Sequence, residues 1–303
     1  MHGGAGCSPR RACCYHASMV ANPTIRPSVG VLARVAALSC LVLLASLTQA
    51  AEPWREYPGI ERGWRSSGDM PATTPEPAEF IVGRLMFPQY ERGPFGSGPG
   101  DWRLGGTAWT VDYPEGDRTF AMLLARLSTL NVRAMEQPVN LDDANASFDY
   151  PFLISGLVGA WDLSDHQARK LREHLLKGGF LLCDSFYGDY EWQGFTKTLQ
   201  RIFPDRAVVD LPDDHPIFQT PFDLKEKPQI PTWQYLPQGY REGGATPHWR
   251  AILDDEGRVM VMIAFNNDIA DGWQRANDPN YPQLEANMAI RLGVNFALYA
   301  LTH

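Results

Sequence analysis

The residues best placed to do chemistry in this chain are Asp184 and Ser185, at the end of Gly178-Gly179-Phe180-Leu181-Leu182-Cys183-Asp184-Ser185-Phe186-Tyr187-Gly188. Phe180 to Cys183 show no alternation, as expected of a strand covered on both faces, and Gly178-Gly179 before them reads as a helix stop. In an open α/β sheet, ligands gather outside the carboxyl ends of such strands. A carboxylate there is either bonded to loop amides or aimed at a ligand, and the residues leave both open for Asp184. Ser185 could be a nucleophile with His215 as base, but the Gly-x-Ser-x-Gly elbow is absent, and the plainer role is to cap the loop.

Other polar residues fall in similar places. Asp112 and Asp117 flank a tight Tyr113-Pro114 turn, and Asp117 reads as a helix N-cap. Asp214-His215-Pro216 follows a short strand, so His215 with Asp214 suits a general base or metal ligand; a loop histidine fixed by its neighbours is the simpler reading. Asn267 and Asp268 open a polar loop. Trp192 and Trp273 stand beside these loops, as faces for stacking on a sugar ring or as ordinary core. The histidines have no paired ligand spacing and Asn266–Asp271 lacks a calcium-loop pattern, so neither a metal nor a cofactor is expected. Cys183 lies inside the apolar strand and reads as buried and inert.

The elements that would hold these residues alternate strand and helix. Phe80–Phe87 reads as a first strand, followed by a long Gly/Pro loop over 88–106. A helix capped by Asp117 carries Phe120, Leu124 and Leu127 at helical spacing. Val132–Met135 reads as a second strand and Asp149–Gly156 as a third. Ser164 with Gln167 forms a capping box for the next helix. After the central strand, a helix is expected over Glu191–Phe203 and a strand over Ala207–Leu211. Trp249–Leu253 and Arg258–Phe265 flank Asp254-Asp255-Glu256-Gly257 as a hairpin. A polar loop from Asn266 leads to a last helix over Gln283–Leu301. This pattern predicts an α/β, doubly wound, mostly parallel sheet with helices on both faces, a terminal β-hairpin as antiparallel edge, and long loops.

The ends of the chain differ in composition. The first 50 residues hold no Asp or Glu but four Arg, and end in a 13-residue apolar run, Val35–Leu47, before Thr48-Gln49-Ala50. That is the pattern of a secretory signal cleaved near Ala50, with Met19 as a possible start; an uncleaved membrane anchor is the alternative. Residues 51–78 then form a linker or arm, which Trp54 and Trp64 could dock onto a domain at 79–303. Without the first 50 residues, Lys plus Arg falls from 27 to 23 against 35 Asp plus Glu, so the net charge moves from −8 to −12. That disfavours nucleic acid and anionic lipid, and fits a periplasmic or secreted protein with neutral or cationic partners. Four of the five cysteines lie before Ala50, so no internal disulfide is expected in the remainder.

Five motifs occur in order: Trp109-Thr110-x-Asp112-Tyr113-Pro114-x-x-Asp117-Arg118, Gly178-Gly179-Phe180 leading to Asp184, Asp214-His215-Pro216-Ile217-Phe218, Asn267-Asp268 with Gly272-Trp273, and Arg291–Phe296 leading to Tyr299–His303. Together they resemble the bacterial domain of unknown function 4159 over residues 79–303. The resemblance implies a flavodoxin-like three-layer fold related to class I glutamine amidotransferases, and no established activity. Family members often carry a second Asp where this chain has Ser185, which weakens any role needing paired carboxylates there. An amidotransferase places its Cys on a Gly-flanked elbow, which Cys183-Asp184-Ser185 lacks. The expectation is therefore a non-catalytic binding domain of the cell envelope, gathering Asp112, Asp117, Asp184, Asp214, His215, Asn267 and Asp268 at one sheet edge. Its partner would be a small molecule, a glycan or an envelope protein, with no membrane span once the signal is cleaved. A hydrolase of glycan or amide, with Asp184 or His215 as acid–base, is the alternative, and a purely structural envelope component a third.

Overall fold

The computed structural model describes residues 54–61, 78–90, 100–143 and 149–303. All of them lie in the second of two units, Pro53–His303. The signal segment and Trp64 fall outside the described residues.

Along the chain run β1 (Gly83–Met86), α1 (Glu115–Leu127), β2 (Gln137–Asn140), β3 (Phe152–Ser155), α2 (Asp165–Leu176), β4 (Phe180–Cys183), α3 (Gly188–Ile202), β5 (Val209–Asp210), β6 (His248–Leu253), β7 (Val259–Phe265), α4 (Ile269–Gln274) and α5 (Gln283–Thr302). The seven strands form one mixed sheet in the order β2-β1-β3-β4-β7-β6-β5. β2, β1, β3, β4 and β7 are mutually parallel. β6 is antiparallel to β7 on one side and to β5 on the other.

The side-chain period of two divides the core between the faces. Leu181 and Cys183 of β4 and Val261 and Ile263 of β7 pack with Leu171 of α2 and Phe195 of α3. Phe180, Leu182 and Met262 pack on the other face with Phe120 of α1, Trp273 of α4 and Phe296 of α5. Central parallel strands are buried on both faces, which is why β4 and β7 read as unbroken apolar runs. Ser164 and Gln167 form the expected capping box on α2, and Gly178 takes φ 106° just beyond that helix, in the left-handed region where a Cβ is penalised.

Several elements depart from the sequence reading. Asp117 does not cap α1; it lies within the first turn, and its carboxylate turns inward to Arg84. β2 starts at Gln137, and Val132 contributes only an isolated bridge to Phe80. β2 contains Pro138, tolerated because the strand is at the sheet edge. α3 begins three residues early, at Gly188, and the expected polar loop after β7 contains the helix α4. Residues 54–61 run along the domain: Trp54 Nε1 donates to the Glu136 carbonyl at 3.0 Å, and the Tyr57 ring meets Trp109 at 5.3 Å.

Candidate functional site

The carboxyl ends of β4 and β7 meet at a buried acidic pocket. Asp184 directly follows β4, and its amide donates to the Ser155 carbonyl at 2.9 Å, extending the sheet ladder by one residue. Its Oδ2 accepts the Ala270 amide of α4 at 2.9 Å, while its fully buried Oδ1 has no hydrogen-bond partner among the described residues. Ser185 takes φ 59°, which swings its side chain across to β7, where Oγ donates to Asp268 Oδ1 at 2.7 Å. Asp268 is the N-cap of α4, and Asp271 stands one turn further along. Asp271 Oδ2 accepts the Trp233 amide at 2.8 Å, and its Oδ1 accepts from Arg275 Nε at 3.3 Å.

Two further carboxylates come from distant parts of the chain. Asp112 takes φ 57°, two residues before the cis Tyr113–Pro114 bond, and is 1% exposed with Oδ2 unpartnered. Glu61 closes the pocket from the surface side. Its Oε1 accepts from Trp233 Nε1 and Gln234 Nε2, both at 3.3 Å, and its Oε2 accepts from Gln274 Nε2 at 3.2 Å. One oxygen from each of Glu61, Asp112 and Asp271 lies within 4.8 Å of the others.

So many carboxylates in a dry site cannot all hold charge cheaply. Burial, and then the Asp268 charge, push Asp184 up to about 8, with the Ala270 amide pulling the other way. Burial raises Asp268 to about 6, the Ser185 hydroxyl and the Arg241 guanidinium holding it lower than Asp184. Burial with Asp271 and Asp268 nearby raises Asp112 well above the ordinary carboxylate range. Burial and Asp268 do the same to Asp271, against the Trp233 amide and Arg275. At neutral pH Asp184 therefore carries a proton that it could donate, and the pocket as a whole favours positive charge.

The pocket brings together four of the residues singled out in the sequence: Asp112, Asp184, Ser185 and Asp268. Asn267 lies between them but is committed to structure, its Oδ1 accepting the Ile230 amide at 3.0 Å and its Nδ2 donating to the Phe265 carbonyl at 3.2 Å. Asp117 is likewise committed, held by Arg84 through bonds of 2.9 and 2.5 Å with both side chains fully buried. Tyr113 turns its hydroxyl to the Tyr57 amide at 3.3 Å, toward the arm. Trp192 packs on Phe265 at 4.7 Å within the cluster on the α2–α3 face. Trp273 is core, fully buried on Phe120 at 4.2 Å, with Nε1 on the Ala289 carbonyl.

Asp214 and His215 do not join the pocket. The His215 ring lies 5.9 Å from Tyr299, whose hydroxyl accepts the amide of Val259, the first residue of β7. The acidic pocket lies past the last residue of that seven-residue strand, roughly 20 Å away at the usual rise. The reason is the connection after β5: a 3₁₀ turn, Pro216–Phe218, carries the chain back along α5, and His215 Nδ1 accepts the Ile217 amide at its start. Cys183 faces the core at 0% exposure, and burial raises its thiol far from reactivity.

Glu61 and Asp271 were not singled out from the sequence. The pattern Asp268-Ile269-Ala270-Asp271 does carry the signal of a capped helix start, with the acidic residue three positions on. Glu61 sits in an aperiodic stretch and has no such signal. Beside the pocket, at the end of β7, a surface cleft of 400 Å³ is lined by residues including Gly188, Tyr190, Glu242, His248 and Asn266.

Fold and site thus define an α/β domain with a buried carboxylate pocket at the carboxyl edge of its parallel strands. The chain belongs to the family described as domain of unknown function (DUF4159), whose model matches residues 101–301. A comparison with curated proteins gives no match.

Proposed function

We propose that this is an exported, non-catalytic binding domain of the bacterial cell envelope, with the acidic pocket as its ligand site. The observation that carries this reading is the convergence of Asp112, Asp184, Ser185 and Asp268, with buried oxygens of Asp112 and Asp184 left without partners. Buried polar atoms in a purely structural site are almost always bonded. The strand order 2-1-3-4, followed by β7 as the fifth parallel strand, favours a flavodoxin-like, amidotransferase-related frame. Such a frame with its only pocket-side thiol buried inside β4 is one without glutaminase chemistry. The excess of carboxylates favours a ligand that is cationic or rich in hydrogen-bond donors.

The test is a thermal-shift panel of glycans, cell-wall fragments and amines against the purified protein. A ligand that stabilises the wild type and loses its effect on Ser185→Ala and Asp184→Asn supports the reading. A panel ligand that binds both variants unchanged places binding elsewhere and refutes the pocket. A second reading, hydrolysis, is favoured by one observation: a carboxyl pushed up to about 8 is a ready general acid. Turnover of a panel member that disappears in Asp184→Asn would decide for it; His215 has no part in this version.

A further inference from the structure

We propose that Glu61, Asp112 and Asp271 bind a hard divalent cation, with Ca²⁺ as the ion of best size, at the surface end of the acidic pocket. The inference rests on the reading of that pocket as a ligand site and names what part of it takes. The three carboxylates come from the arm, from the turn before α1 and from α4, so no local spacing in the sequence announces them. Their oxygens lie within 4.8 Å of one another, inside the span of about 5 Å between opposite oxygens on Ca²⁺.

A set of nearby acids is not in itself a site. Here Asp112 supplies the independent sign, since its side chain is 1% exposed and its Oδ2 has no hydrogen-bond partner. Leaving such an oxygen unmet in a dry interior is costly, and a cation would satisfy it. Gln274 offers a fifth kind of support: its Nε2 bonds Glu61, while its amide oxygen is buried and unpartnered. An all-oxygen set of carboxylates and an amide carbonyl suits Ca²⁺ or Mg²⁺ and is poor for zinc.

Charge and access agree. Arg275 lies 3.3 Å from Asp271 and 3.9 Å from Glu61, so three carboxylates facing one guanidinium leave two negative charges, the number that one divalent ion neutralises. Asp112 and Asp271 are sealed inside, but the Glu61 side chain is 17% exposed beside Trp233 at 40%, which gives an ion a way in and water a place in its shell.

The experiment is calorimetric titration of the EDTA-treated, dialysed full-length protein with CaCl₂ and, separately, MgCl₂. Saturable binding at one ion per chain is expected, with a Kd on the order of 10⁻⁴–10⁻³ M, the range of weak extracellular sites. Glu61→Gln, at the surface and therefore able to fold, should weaken it at least about tenfold, and Asp112→Asn should abolish it. Tb³⁺ bound at this site should show luminescence sensitised by Trp233, lost in Glu61→Gln. Absence of saturable heat up to about 10 mM of either ion, or affinity unchanged in Glu61→Gln, overturns the inference. Panel ligands that still bind in EDTA would leave the proposed function standing while the cation fails. Cation binding without any panel ligand would do the reverse.

Discussion

Asp184→Asn separates a pocket that holds protons from one that holds charge. In the folded protein, burial and Asp268 push the Asp184 carboxyl up to about 8; in the unfolded chain it ionises near pH 3.9. Between about pH 4 and 8 the folded state keeps a proton that the unfolded state has released. A raised carboxyl pKa therefore contributes stability that is complete below about pH 4 and is lost as pH rises to 8, at about 1.4 kcal/mol per pH unit. Asp268, pushed up to about 6, adds its own slope only below pH 6. From pH 6 to 8 Asp184 should thus account for about 3 kcal/mol of falling stability. Asn cannot ionise. Its carbonyl can still accept the Ala270 amide, which Asp184 accepts at 2.9 Å, but its Nδ2 replaces an oxygen that has no partner. Burying that donor unmet costs about 1–3 kcal/mol. The variant should accordingly be near the wild type or slightly below it at pH 5, and above it by a few kcal/mol at pH 8. Urea unfolding of both proteins in EDTA, followed by Trp fluorescence at each pH with matching m-values, measures the difference. A difference that stays constant from pH 6 to 8 would refute the reasoning, because Asp184 would then be ionised throughout.

Further outcomes follow from the packing around the pocket. Arg84→Met should cost about 3–5 kcal/mol in urea unfolding, because it strands the fully buried Asp117, and Arg84→Met with Asp117→Leu should recover much of that loss. A Cβ at Gly272 would lie 2.5 Å from the Ala289 Cβ, so Gly272→Ala should prise α4 from α5 and cost about 1–3 kcal/mol, read as a lower Tm. Cys183 should react with a thiol reagent only as fast as the protein unfolds; rapid stoichiometric labelling of the native protein would contradict its 0% exposure. His215→Ala should leave the pH dependence assigned to Asp184 unchanged, since the two lie at opposite ends of β7.

The parts of this fold that were legible in the sequence are those where local chemistry and tertiary structure agree. The unbroken Phe180–Cys183 run marked the central strand, and the Ser164–Gln167 box marked the start of α2. Asp184, Ser185 and Asp268 could be found because strand ends in a parallel sheet point to one place. Failures arose where a distant partner decided the outcome. Asp117 has the composition of a cap, but Arg84 in β1 offers its carboxylate a stronger bond than the helix amides. β-leaning Val132–Met135 lost to Gln137–Asn140 because pairing with β1, four residues in register, outweighs propensity. His215 follows a strand, as a site residue would, but Pro216 opens a turn that folds it back beneath α5. Glu61 reaches the pocket only through contacts made across more than a hundred and fifty residues, which no local pattern encodes.

The place of β1 in the sheet sets the limits of any usable fragment of this protein. The family match begins at residue 101, but β1 lies at 83–86 and sits between β2 and β3. A recombinant piece cut at the family boundary would lose an interior strand, not a trim at the edge. It would expose two facing rows of backbone donors and acceptors, an invitation to intermolecular pairing and insoluble product. It would also discard Arg84 and Glu61, leaving Asp117 buried without its guanidinium and the pocket without its outer wall. Libraries that harvest such domains by their family borders would therefore record this one as unable to fold, when its true left margin lies no later than Trp54.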